Sequence, residues 1–467
     1  MAGLPRPSLS QLADPAIVAD PYPVLARLRE ASPFEEAGGA MIVAGRHADV
    51  SAILRDPRAS SERHASLLAP PGAERAQSFL SLDPPDHTRL RRLVSKAFTA
   101  RAIATLEPRI RAVTDELLDA AAPGSWLSPG GHASATGDPP AGGAARPAAG
   151  SRPDGDSPPG QGALPGRGEP PGGRLEVVSQ LAYPLPVRII SELLGVPPGD
   201  HQRFADWSAR LVHSLQPQFG AADPAEAAAA QQARTEFAAY FRELIAERRA
   251  RPAADLLSEL VRAEDQGDRL TEDELVATCV LLLVAGHETT VGLISNAILA
   301  LLRHPGQLAS LQADPGLAAA AVEETLRYDA PVQLTARVAR GGMRVGALSP
   351  PDGGLLVLLL AATGRDPVAF DRPDDFDIRR GAAADGSAPG SPAHLAFAAG
   401  AHFCLGAPLA RLEATIALQA FARRVAGPQL TESAPRYKPN FNLRGPASLP
   451  LRFAALRPAE PALVAGR

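Results

Sequence analysis

The chain has 467 residues, with 47 Lys plus Arg against 51 Asp plus Glu and a formal net charge of −4. So even a balance provides no global basic field to draw in nucleic acid. Apolar residues at 45% and charged residues at 21% describe an ordinary globular chain, long enough for one large core or two ordinary domains. Two cysteines, Cys279 and Cys404, can build neither a disulfide scaffold nor a four-thiolate iron–sulfur site. Usage this sparse suits a reducing cytosol. Residues Met1–Ser10 contain no apolar run of signal-peptide length, and Val280–Ala285 and Leu355–Ala362 fall well short of the roughly 20 residues of a bilayer span. A soluble, cytoplasmic protein without membrane insertion is expected.

In chain order, apolar residues at three- and four-residue steps predict helices over Pro21–Glu30, His87–Ala97, Ala102–Ala121, Val187–Leu194 and Gln231–Arg249. A short apolar run at Met41–Val43, closed by Gly45, reads as a strand, as does the segment near Leu175–Val178. From Pro129 to Gly173, 23 of 45 residues are Gly or Pro, with a single Leu and no aromatic. Such a segment cannot bury enough apolar surface to offset its ordering entropy, so 129–173 is expected to be a disordered insertion. A long helix is predicted from Thr271, whose spacing to Glu274 is that of a capping box, to Arg303, where Pro305 stops it. Helices over Leu317–Tyr328 and Leu405–Val425, strands over Val332–Ala339 and Leu355–Leu360, and a flexible loop at Gly381–Pro392 complete the pattern. The fold class is mainly α with a minor β part.

Three segments carry chemistry. In Phe397-Ala-Ala-Gly-Ala-His402-Phe-Cys404-Leu-Gly406, two glycines flank a cysteine just before a helix. That describes a tight loop with amides turned inward and a positive helix end near the sulfur, both of which favour a thiolate. A buried structural cysteine is the alternative, and it is the reading for Cys279 within its apolar run. In Ala285-Gly-His-Glu288-Thr289-Thr290, an acid and two hydroxyls interrupt an apolar helix. The hydroxyls can capture backbone carbonyls, bend the helix and open room for a small ligand and a water, with Glu288 and Thr289 handling protons. A kinked core helix with a solvated acid is the alternative. His287 reads as a packing or capping residue. Glu324 and Arg327 share a helix face at i, i+3, as do His87 and Arg91 at i, i+4, and a surface ion pair or solvent exposure is the plain reading of each.

The spacing of Phe397, Gly400, Cys404 and Gly406, continued by Leu409-Ala-Arg411-Leu-Glu413, resembles the haem-binding loop of the cytochrome P450 superfamily, departing from it at Ala398, where many members have glycine. The resemblance extends from about Pro21 to Leu451 outside the insertion. It implies a cytochrome P450-like fold, a long distal helix over haem b (iron protoporphyrin IX), and a single haem-thiolate monooxygenase domain. Cys404 would be the iron ligand, with Phe397 packed beside the sulfur. Glu288 and Thr289 would be the acid–alcohol pair of dioxygen activation. Glu324 and Arg327 would be a buried structural lock, with Asp375 at one position for its third partner. His87, Arg91, Arg337 and His402 match propionate-binding positions, because Arg suits carboxylates. Leu281, Val284, Ala285, Val332, Gln333, Thr335 and the loop Ser60–Leu80 would line the pocket of a small lipophilic substrate. Electrons would come from a separate ferredoxin and ferredoxin reductase, for which Arg89, Arg92 and Lys96 offer a basic surface. The enzyme would be a monomer. A peroxide-driven haem enzyme and a non-catalytic haem or ligand-binding protein are the competing readings, and a zinc site lacks paired ligand spacing.

Overall fold

In the computed structural model, residues 7–69, 78–121, 172–214, 224–265, 267–380 and 392–459 are described. The helices are α1 (Tyr22–Ala31), α2 (His47–Arg55), α3 (Asp86–Ala97), α4 (Ala100–Ala104), α5 (Glu107–Ala120), α6 (Pro184–Leu193), α7 (His201–Ser214), α8 (Pro224–Ala250), α9 (Leu256–Arg262), α10 (Glu272–Arg303), α11 (Pro305–Ala313), α12 (Ala318–Tyr328), α13 (Leu360–Thr363) and α14 (Ala407–Arg424). The strands are β1 (Phe34–Glu36), β2 (Met41–Ala44), β3 (Ala59–Ser60), β4 (Gly173–Glu176), β5 (Glu264–Asp265), β6 (Asp268–Arg269), β7 (Thr335–Ala339), β8 (Leu355–Leu358), β9 (Val425–Ala426), β10 (Gln429–Leu430), β11 (Pro450–Phe453) and β12 (Ala455–Leu456).

The main sheet has the order β1-β2-β8-β7-β3, with β2 and β8 parallel and the other pairs antiparallel. A second sheet joins β10, β11 and β4, with Leu175 opposite Leu451. Most buried apolar residues form one core in which α10 packs against α6, α12 and α14. The 32-residue α10 is long and apolar enough to cross a membrane, but Leu283, Val291, Ile294, Ile298 and Leu301 are buried in that core. The expected capping box is present: Thr271 N–H donates to Glu274 Oε2 at 2.8 Å, and Glu274 N–H donates to Thr271 Oγ1 at 3.3 Å.

Several boundaries differ from the sequence reading, each for a local reason. The helix expected over 102–121 is two, because Pro108 lacks an N–H and sits in the first turn of α5. Pro305 ends α10 and also opens α11. The strand at 355 stops at Leu358, where its partner β2 ends at Ala44, and Leu360 begins a helical turn. Val332 makes only an isolated bridge to Leu443. The strand near 175 gives way at Val178 to a π-helical turn. Residues 129–171 of the expected insertion and 381–391 of the second loop lie outside the described residues, while Gly173 already belongs to β4.

Candidate active site

Cys404 sits between a short turn and the start of α14, with its own N–H donating to Phe397 O at 3.0 Å. Gly400 has φ +71°, and a Cβ there would come within 2.4 Å of Leu54 O, so only glycine lets the loop lie against α2. The amides of Gly406 and Ala407 point at the sulfur, as the glycine spacing and helix end predict. The net effect on the thiol is the reverse of that expected. Burial pushes it above its ordinary value, and the two amides together with Arg91 and Arg411 only oppose this. A thiolate in this position therefore calls for a cation on the sulfur itself, which deprotonates a coordinating thiol outright. Cys279 is fully buried in α10 and pushed up to about 12, a core thiol.

Behind the loop is a network that the sequence reading missed. Arg411 grips Glu323 in two bonds of 2.6 and 2.8 Å, and His394 Nε2 meets the same carboxylate at 3.1 Å. Burial pulls Glu323 up, but these bonds win and hold it down at about 2. The Arg411 guanidinium also lies 4.7 Å over the Phe397 ring, fixing the residue whose carbonyl receives Cys404 N–H. Glu413, two residues beyond Arg411, is buried with one oxygen unpartnered, and burial pushes it up to about 8.

Ala398 adopts φ +57°, the left-handed region in which an L side chain costs roughly 1–2 kcal/mol. Glycine there removes that strain but gives back roughly 0.5–1 kcal/mol of unfolded-state entropy. Ala398→Gly is expected to raise stability slightly, by about 0–1 kcal/mol in urea unfolding. A clear destabilisation would show that the methyl makes a contact worth more than the strain.

Four of the predicted residues converge beside this loop. The His87 and His402 rings lie 4.0 Å apart, and Arg91 Nη2 donates to Phe403 O at 2.5 Å. Arg337 is 5% exposed, and burial and then Arg63 press its guanidinium down to about 10. Burial, His87 and Arg337 push His402 down to about 3, and burial and Arg91 also lower His87. Both His87 ring nitrogens are buried without a hydrogen-bond partner. Arg63, which bonds Ser81 Oγ at 3.1 Å, joins the cluster and was not anticipated, whereas Asp83 is the acid that acts on His87, Arg337 and His402. Buried cations and orphaned imidazole nitrogens in one place are the donor set for a ligand bearing more than one carboxylate.

The predicted acid and hydroxyls lie on α10. Thr289 and Thr290 donate to the carbonyls of Ala285 and Gly286, each at 2.9 Å, so the hydroxyls do capture backbone oxygens. The helix nonetheless runs unbroken from Glu272 to Arg303 rather than being interrupted. Ala285 is exposed, and Leu281 and Thr289 on the same face are partly exposed. His287 turns away from that face. Its Nδ1 donates to Leu283 O at 2.8 Å, leaving Nε2 to accept from Ser208 at 3.3 Å. Glu288 forms an ion pair with Lys438, a partner nothing in the local sequence signals.

Residues 219–315 and 316–426 match the family Cytochrome P450. The chain is 38% identical over 454 residues to "Cytochrome P450 monooxygenase PikC" of Streptomyces venezuelae, covering 94% of this chain and 93% of that one. Among solved structures, ligand-free CYP164A2 of Mycobacterium smegmatis superposes with TM-score 0.76 at 42% identity, over 95% of this chain and 98% of that one. P450BioI, solved with an acyl carrier protein bearing hexadec-9Z-enoic acid, gives TM-score 0.75 at 32% identity, over 94% and 99% of the two chains. The chain belongs to the cytochrome P450 family. It is a P450-type monooxygenase with the P450 fold, and haem b is its cofactor. The cation cluster, the orphaned His87 nitrogens and the amide-lined Cys404 fit that group.

Within this P450, Glu324 and Arg327 are each about 3% exposed at the side chain and make a two-point pair at 2.7 and 2.8 Å, a buried pair rather than a surface one. Arg327 also donates to the carbonyls of Gly364, Pro373 and Asp375 at 2.7, 2.6 and 2.8 Å. The third side chain is Arg380, whose Nε meets Glu324 Oε1 at 3.2 Å. Asp375 supplies only its carbonyl, because its carboxylate turns outward to Arg372. The basic surface also needs correcting. Arg89 is not free, since it pairs with Asp268 at 3.2 Å and with Glu274 where α3 packs near the start of α10, and Arg92 and Lys96 have partners too. Of the proposed pocket residues, Val284 is buried at 6% and Gln333 at 3%, and Gln333 lines a cleft facing α1 and the turn at 437–445. Residues 70–77 of the loop Ser60–Leu80 lie outside the described residues.

Proposed function

We propose that Cys404 would hold the haem iron of this P450 through its thiolate, and that the enzyme inserts one oxygen atom of dioxygen into a small lipophilic substrate. The observation that carries the reading is the convergence of an amide-lined cysteine with buried, carboxylate-seeking cations beside one loop. When bound, the haem supplies the dioxygen activation and oxygen insertion, with the thiolate pushing electron density toward O–O cleavage. The Gly406 and Ala407 amides temper that donation, and the Arg411–Glu323 grip on Phe397 holds the loop that presents the sulfur. Arg91, Arg337, His87 and His402 bind and orient the propionates. Thr289 offers its hydroxyl at the exposed face of α10, and Glu288 holds and releases the proton that hydroxyl positions. Leu281, Val284, Ala285, Val332 and Thr335 are proposed to shape the substrate side, whereas Gln333, also expected there, faces the cleft beside α1.

The substrate class follows from the apolar character of those residues and is in line with the fatty-acyl ligand of P450BioI. Hydroxylation or epoxidation in secondary metabolism, electrons from a ferredoxin and its reductase, and a monomeric cytoplasmic protein comprising one domain over 1–467 are parts of the same proposal. With Arg89 tied down, donor docking would rely on other proximal charges. Thr289→Ala is expected to bind haem and substrate normally, yet lose roughly tenfold in product per NADPH, with the electrons recovered as hydrogen peroxide. Unchanged coupling would remove Thr289 from the mechanism and favour the peroxide-driven reading.

A further inference from the structure

One carboxylate ties together the chain on both sides of Cys404. Glu323, on α12, takes two bonds from Arg411 at 2.6 and 2.8 Å, and His394 Nε2 lies 3.1 Å from its Oε2. His394 Nδ1 accepts from Ala396 N–H at 3.2 Å, so the ring proton sits on Nε2 and is donated to Glu323. The imidazole is therefore neutral, and the cluster carries one positive and one negative charge.

A mechanical clamp on Phe397 does not require an ion pair. The Arg411 guanidinium covers the ring at 4.7 Å, a place that a neutral side chain of similar length could fill. A cation there also acts on the sulfur: Phe397 O receives Cys404 N–H, and the Arg411 charge reaches the thiol. The two arginines that act on Cys404 are answered differently. Arg91 donates to Phe403 O at 2.5 Å, and the charge that supports its own is that of Cys404. Arg411 faces Glu323 instead. With Glu323 ionised, the sulfur feels one uncompensated cation; without it, two. A positive charge beside a thiolate weakens its donation to a metal and favours the more electron-rich state of the pair.

We propose that Glu323 is a positioning residue that sets the reduction potential of the haem iron, by cancelling the Arg411 charge beside Cys404 while His394 fixes the carboxylate. The inference rests on the reading of Cys404 as the axial thiolate. The step it biases is the uptake of one electron at the iron from a ferredoxin-class donor. No bond in the cluster forms or breaks, and no proton leaves it.

The test is a mediated potentiometric titration of the holoenzyme, with the carbon monoxide spectrum of each variant taken first. Glu323→Gln keeps the shape, leaves the Arg411 charge unanswered and should favour reduction roughly tenfold, about 59 mV for one electron. Arg411→Met should hold or lower the potential, and Glu323→Gln/Arg411→Met, with neither charge, should return it close to that of the unaltered protein. Glu323→Asp shortens the grip but keeps the charge, so it should also stay close. A loop that is merely loosened moves all four variants the same way. That result, or an unchanged potential in Glu323→Gln, would overturn the proposal. If Glu323→Gln does not load haem, Arg411→Met and Glu323→Asp carry the test, and a raised potential in either overturns it. The reading of Cys404 fails separately, when the unaltered protein lacks the thiolate band under carbon monoxide, whatever the potentials.

Discussion

Arg327→Met lowers stability by about 3–5 kcal/mol, the cost of stranding a buried carboxylate, and yields little haem-loaded protein. The guanidinium has two bonds to Glu324 and one to each of three carbonyls that tie α12 to the segment at 364–375. Removing it leaves Glu324 facing Arg380 and the Asp377 amide, and takes a donor from the Gly364 and Pro373 carbonyls, while Asp375 O keeps its bond from Arg380 Nη2 at 3.0 Å. Arg327→Lys recovers little, because one ammonium cannot span a carboxylate and three carbonyls. Urea unfolding of each variant checks this. A loss below about 1 kcal/mol would mean that the pair is no more than the surface type.

Arg337→Met should act with opposite signs on the two forms of the protein. Arg337 is buried, its hydrogen bonds go to Thr335 Oγ1 at 3.3 Å and to Ala336 O at 2.9 Å, and burial and Arg63 both disfavour its charge. In the apoprotein an apolar isostere removes an ill-compensated cation, so the thermal midpoint should rise or hold. In the holoprotein it removes a charge-assisted bond of about 1.5–3 kcal/mol to a propionate, so haem should transfer to apomyoglobin roughly 10- to 100-fold faster. Faster loss with a destabilised apoprotein would mean that Arg337 is simply structural. Unchanged loss would take it out of the cofactor site.

Local patterns announce what local physics decides. The capping box at Thr271, the glycines around Cys404 and the Glu324–Arg327 step were legible because each works within one helix turn or one loop. Helix α7 was missed although Phe204, Trp207 and Leu211 keep helical spacing, and α2 likewise carries Val50, Ile53 and Leu54 on one face. Partners across long separations were not legible. Lys438 meets Glu288 from 150 residues away, Arg380 meets Glu324 from 56, and Arg89 is claimed by Asp268 from 179. Charge sequence alone cannot tell a cation awaiting a partner protein from one already paired across the fold. The thiol shows the same limit. Amides and a helix end can be read from glycines, but burial, which outweighs them at Cys404, is a property of the packed core.

The measurement that bears most directly on the central claim is the absorption spectrum of dithionite-reduced protein under carbon monoxide, compared with Cys404→Ala. Thiolate ligation predicts a strongly red-shifted Soret band that Cys404→Ala loses while remaining folded. A band typical of histidine-ligated haem in the unaltered protein, or one that survives the substitution, would contradict Cys404 as the ligand and the proposed monooxygenase mechanism with it.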